Sequence, residues 1–143
     1  MKEKDKTTIS DNKTILVVED DPDMNVMSRD ILRSAGYETI AAYNGTEALN
    51  YLEKATPDLI LLDFMLPDIP GDEVCRRISE NEEKKHIPII IVSARRDLPT
   101  RLSSFLFGAK RYISKPFSSK DLLEFIRIEL KRSEVKTDRE RKN

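Results

Sequence analysis

The chain has 143 residues, enough for one compact domain with an apolar core and too few for a second domain of ordinary size. Its 25 basic and 26 acidic side chains nearly cancel, to a formal charge of -1, which argues against direct nucleic-acid binding or a membrane footprint. The single cysteine, Cys75, excludes an internal disulfide, and the longest apolar run, 87–92, is broken by Pro88 and falls far short of a bilayer span. No apolar stretch of signal-peptide length follows the first lysines, so a cytoplasmic protein is predicted.

Residues 1–13 are polar with alternating charge and read as a flexible extension; 133–143 reads as a charged tail or linker. Between them, 14–132, strand and helix signals alternate. A β-branched run at 14–18 gives a first strand. Met24, Met27, Ile31, Leu32 and Ala35 then recur at helical spacing, with Asp21 as N-cap, Pro22 at the first helical position and Gly36 as a left-handed stop.

A strand at 38–42 follows, then a helix over 46–54 using Ala48, Leu49 and Leu52, and a strand at 59–62. A turn at 68–71 leads into a helix with Val74 and Ile78, a strand at 89–92, and a helix over 99–107 that stops at Gly108. The last strand contains Tyr112 and Ile113, and a final helix capped by Ser118 or Ser119 buries Leu122, Leu123, Ile126 and Leu130. Five strand–helix units of this size predict a parallel α/β sheet covered on both faces, in a flavodoxin-like order. Cys75, Met24 and Met27 read as packing residues, and His86 as a surface residue beside a strand.

In an open α/β sheet, ligands bind beyond the carboxyl ends of the strands. Glu19, Asp20 and Asp21 follow the first strand, Asp63 the third, Ser93 the fourth and Lys115 the fifth. Clustered carboxylates repel one another unless a cation neutralises them, and an oxygen-only donor set suits Mg2+, with Mn2+ as the alternative ion. The acidic run also reads as a solvated helix cap, Ser93 as a strand-closing serine and Lys115 as a surface lysine, so at this level both readings stay open. In the functional reading, Lys115 pairs first with Asp63 and then with an incoming phosphoryl oxygen, to which Ser93 donates a hydrogen bond.

The segments Val17-Val18-Glu19-Asp20-Asp21, Leu62-Asp63-Phe64-Met65-Leu66-Pro67 with Gly71, Val92-Ser93-Ala94, and Gly108-Ala109 followed by Tyr112 and Lys115-Pro116-Phe117 resemble the receiver domains of bacterial two-component response regulators. The resemblance implies a flavodoxin-like doubly wound (βα)5 sheet in the order 2-1-3-4-5. It implies Asp63 as phosphoacceptor, Glu19 and Asp20 as the acidic pair, and metal contacts from Asp20, Asp63 and the Met65 main-chain carbonyl, with Glu19 acting through water. Ser93 and Tyr112 become the switch pair, Tyr112 moving inward as Ser93 is drawn to the phosphoryl group, and Lys115 pairs with the phosphate.

The implied donor is a sensor histidine kinase or a histidine phosphotransfer protein. The domain then catalyses its own phosphorylation and dephosphorylation and has no separate small-molecule substrate. The alternative is a magnesium-dependent phosphatase of the aspartyl-phosphate type, which would carry a second aspartate where Met65 stands. Lys110 and Arg111 occupy positions at which many DNA-binding members of the family carry acids that pair with a neighbouring subunit. With Arg101 and Arg127 opposite them, that dimer is disfavoured. Lys110, Arg111 and Arg127 instead suggest a surface for an acidic downstream protein, on the face formed by the fourth helix, fifth strand and fifth helix.

Overall fold

The computed structural model describes residues 12–142, so all but the last two residues of the expected N-terminal extension lie outside the described residues. Ten elements alternate along the chain: β1 (Thr14–Val18), α1 (Pro22–Ser34), β2 (Glu38–Ala42), α2 (Gly45–Lys54), β3 (Leu59–Asp63), α3 (Gly71–Ser79), β4 (Ile89–Ser93), α4 (Leu98–Leu106), β5 (Arg111–Ser114) and α5 (Ser119–Lys142). The strands form one parallel sheet in the order β2-β1-β3-β4-β5, as the sequence predicts.

Alternation along the strands divides the core into two layers. Leu16, Val18, Ile60, Leu62, Ile89 and Ile91 face α2 and α3, meeting Ala48, Leu52, Val74, Cys75 and Ile78. Ile15, Val17, Leu59, Leu61, Ile90, Val92 and Ile113 face the other way, toward Leu32 of α1 and Leu122, Ile126 and Leu130 of α5. Side chains of successive strand residues point to opposite faces, so a sheet covered on both sides needs continuous apolar strands. Each fully buried Leu or Ile contributes about 1.5–3 kcal/mol relative to an exposed one.

The helix ends follow the sequence signals. Asp21 accepts from the amides of Asp23 and Met24, Pro22 opens α1, and Gly36 beyond its end has φ +95°. Ser118, rather than Ser119, caps α5, its hydroxyl accepting from the Asp121 amide at 3.0 Å.

Three features depart from or go beyond the sequence reading. The inner face of α1 carries Asn25, Ser28 and Leu32, whereas Met27 is 42% exposed; the stripe is rotated by one position because Asn25 is needed inside as a hydrogen-bond donor. On α4 the only buried residue is Ser104, and Leu98, Leu102, Phe105 and Leu106 are all exposed. Residues 133–142, expected as a tail or linker, continue α5. After Phe117 the sequence contains neither Gly nor Pro, its Lys, Arg and Glu residues are strong helix formers, and Lys13 ties the extension to the body through Glu134 at 3.3 Å.

Candidate functional site

Strand register brings the sequence-predicted residues to one rim. Val18 pairs with Leu62, Asp63 with Val92, and Ser93 with Ser114, so Glu19, Asp63, Ser93 and Lys115 lie side by side at the carboxyl ends of β1, β3, β4 and β5. Loop hydrogen bonds hold this rim together: the Lys115 amide donates to the Ser93 carbonyl at 2.8 Å, and the Glu19 amide to the Ala42 carbonyl at 3.0 Å.

At the centre, the Lys115 ammonium donates to Glu19 Oε1 at 2.7 Å and to Asp63 Oδ2 at 3.1 Å. The other Asp63 oxygen accepts from the Met65 amide at 3.0 Å, and the other Glu19 oxygen from the Asp21 amide at 3.2 Å. Glu19 and Asp63 are buried while Asp20 is exposed. Burial, opposed by the Lys115 hydrogen bond and reinforced by the charge of Asp63, holds the Glu19 carboxyl above its ordinary pKa. Burial also works against the charged Lys115 ammonium, but its bonds to Glu19 and Asp63 and their charges outweigh it and raise the lysine pKa.

One carboxylate oxygen from each of Glu19, Asp20 and Asp63 lies within 4.8 Å of the others. Three hard oxygen donors with a single ammonium between them can hold a divalent cation of the oxygen-preferring type. Cys75 is buried in the core and its thiol is pushed up to about 12, so it offers no competing soft ligand.

Ser93 is fully buried and its hydroxyl accepts from the Arg95 amide at 3.1 Å. Tyr112 is inward: the residue is 8% exposed and its hydroxyl donates to the Arg95 carbonyl at 2.6 Å. The Arg101 guanidinium lies 5.6 Å from the centre of that ring.

Two of the three basic residues suggested as a partner surface, Arg111 and Arg127, are already ion-paired within the chain. Lys110 precedes β5 and sits at the rim opposite Asp63, its amide bonded to the Ile89 carbonyl. Arg111 is committed internally: it pairs with buried Glu129 at 3.2 Å and stacks over Phe125 at 4.4 Å. Arg127 pairs with Glu124 at 2.8 Å.

Asn25 was not singled out by sequence reasoning. It is fully buried, and its side-chain amide donates to the carbonyls of Glu19 at 3.0 Å and Ala42 at 3.2 Å. It therefore sets the direction of the backbone that carries Glu19 and Asp20. The available signal was a polar residue on the buried stripe of an amphipathic helix.

Residues 15–127 match the model of the response regulator receiver domain. The polar-differentiation response regulator DivK of Brucella anthropi is 37% identical over 115 residues, covering 80% of this chain and 94% of that protein. The phosphate regulon transcriptional regulatory protein PhoB of Rhizobium meliloti is 37% identical over 119 residues, 83% of this chain but 52% of that protein, so the chain spans about half the length of that regulator. A CheY-like response regulator receiver domain protein from Methanospirillum hungatei superposes with a TM-score of 0.83 at 32% identity, covering 87% of this chain and 98% of that one. With its sheet order, its acidic rim and its bridging lysine, the chain belongs to the response regulator receiver domain family, phosphorylation-activated modules that accept a phosphoryl group on an aspartate.

Proposed function

We propose that Asp63 is the phosphoacceptor and that Glu19, Asp20 and the Met65 main-chain carbonyl complete with it a Mg2+ site. The observation that carries this reading is the Lys115 ammonium bridging Glu19 and Asp63 beside exposed Asp20. When bound, Mg2+ supplies positive charge for the transferred oxygens and for the carboxylates around them. An Asp63 carboxylate oxygen attacks phosphorus of a phosphohistidine on the donor; the new O–P bond forms as the P–N bond breaks, and the imidazole leaves with its electron pair. Lys115 pairs with Asp63 before transfer and with a phosphoryl oxygen after it, which stabilises charge as it develops. Ser93, on the neighbouring strand, donates a hydrogen bond from its hydroxyl to another of those oxygens.

The donor is a sensor histidine kinase or a phosphotransfer protein, and water returns the domain to its starting state. Downstream, the exposed stripe of Leu98, Leu102, Phe105 and Leu106 on α4 supports a docking face for an output protein, with more apolar content than the basic residues alone suggest. The phosphatase alternative lacks its second acid, because Met65 stands two residues beyond Asp63. Reduction of the labelled protein with borohydride followed by peptide mapping tests the assignment. Conversion confined to Asp63 is expected, and conversion at another carboxylate contradicts it.

A further inference from the structure

Between Asp63 and Gly71 the chain crosses the top of the sheet in segment 64–70, where Met65, Pro67, Asp68 and Pro70 are all exposed. Its ends are pinned locally: the Met65 amide donates to Asp63 Oδ1 at 3.0 Å, and the Gly71 amide to the Phe64 carbonyl at 3.1 Å. Its middle is held by Asp68. One oxygen of Asp68 accepts from the Gly45 amide at 2.8 Å and the Ile69 amide at 2.7 Å; the other accepts from the Thr46 amide at 2.9 Å and the Thr46 hydroxyl at 2.6 Å.

Gly45 and Thr46 are the first two residues of α2, whose opening amides have no partner within the helix. Asn44 caps the third, accepting from the Glu47 amide at 2.8 Å. Asp68 therefore completes the cap of α2 from a different loop, and its negative charge sits at the positive end of the helix. The approach is close: a Cβ on Gly45 would lie 2.9 Å from Ile69 Cβ and 3.2 Å from Val74 Cγ2, so this position needs a glycine.

We propose that Asp68 is a positioning residue for the metal site, capping α2 in trans and thereby fixing segment 64–70 and the Met65 carbonyl within it. This rests on the reading of Asp63 and Met65 given above. A cap with a purely structural role lowers the melting temperature and leaves Mg2+ affinity alone. A positioning residue changes both.

The test is a Mg2+ titration of the full chain followed by amide NMR, on wild type, Asp68→Ala and Thr46→Val. Asp68→Ala is expected to bind Mg2+ about 10-fold more weakly, the scale of outer-shell losses at metal sites. Faster hydrogen exchange at the Gly45 and Thr46 amides should accompany it. Thr46→Val loses the hydroxyl bond alone and should fall between the two. Unchanged Mg2+ affinity in Asp68→Ala beside a wild type that binds overturns the positioning role and leaves the metal site standing. Absence of Mg2+ binding in wild type overturns both. If Asp68→Ala does not fold, Thr46→Val decides: faster amide exchange with unchanged Mg2+ affinity overturns the proposal.

Discussion

Ser93 and Tyr112, on neighbouring strands, grip opposite sides of the same residue: the Arg95 amide donates to the Ser93 hydroxyl at 3.1 Å, and the Arg95 carbonyl accepts from the Tyr112 hydroxyl at 2.6 Å. Arg95 lies two residues before Asp97, the N-cap of α4, so a shift at Ser93 is predicted to reach the helix bearing the exposed leucines through this one residue. Titration with beryllofluoride should move the amides of Arg95, Tyr112 and α4 in wild type. In Ser93→Ala the response near Asp63 should persist while that of α4 falls. Tyr112→Phe removes one hydrogen bond worth about 1 kcal/mol, so the equilibrium ratio of inward to outward states should fall roughly fivefold. Equal α4 shifts in wild type and Ser93→Ala contradict this route.

Lys115 has two effects that its removal should separate. It offsets part of the charge of Glu19 and Asp63, and so competes with a divalent cation for the same oxygens. Lys115→Met should therefore bind Mg2+ more tightly while phosphoryl transfer slows by about 10²–10³-fold, the scale of losing one preorganised donor. Calorimetry and single-turnover labelling together check it. Weaker Mg2+ binding in the variant would count against competition for the carboxylates.

Asn25 predicts a loss of stability with a functional consequence. Asn25→Leu removes a donor from the Glu19 and Ala42 carbonyls; Ala42 keeps the Glu19 amide, so the cost is about 1–3 kcal/mol for the Glu19 carbonyl left unsatisfied. Urea unfolding measures the loss. A Mg2+ titration of the folded variant should show weaker binding, because the backbone leading to Asp20 is no longer held.

Asp68 sets a pH dependence. The Thr46 hydroxyl, aided by the Gly45, Thr46 and Ile69 amides, holds its carboxyl well below the usual carboxylate range, against an ordinary value of 3.8. Because the folded-state pKa is depressed, the stabilisation is complete above the unfolded-chain value and is lost as pH falls from there through the lower folded-state value. Urea midpoints of wild type and Asp68→Asn should differ most near neutrality and converge below about pH 3.8. A gap that stays constant across this range contradicts a charge-dependent cap.

The legible parts of the sequence were those whose signals are local. Asp21, Pro22 and Gly36 announce the ends of α1 by their own backbone preferences, and apolar runs ending abruptly at Glu19, Asp63 and Ser93 mark strand termini that a parallel sheet must bring together. Lys115 was legible for the same reason. What stayed hidden depends on partners distant in the chain. Arg111 looks like a free cation until Glu129, eighteen positions on, is placed beside it. Asp68 reads as a turn residue because the amides it caps belong to a helix that begins 23 residues earlier. Asn25 interrupts an apolar stripe for the sake of carbonyls at the ends of two strands, and periodicity alone assigns the inner face to its neighbours Met24 and Met27 instead.

The most direct measurement is intact-protein mass spectrometry after incubation with a small phosphodonor, with and without Mg2+, on wild type and Asp63→Asn. One added phosphoryl group in wild type, dependent on Mg2+ and lost in Asp63→Asn, is the predicted result. Labelling of Asp63→Asn at the wild-type rate, or wild-type labelling indifferent to Mg2+, would contradict the assignment of Asp63 as a phosphoacceptor working over a metal ion.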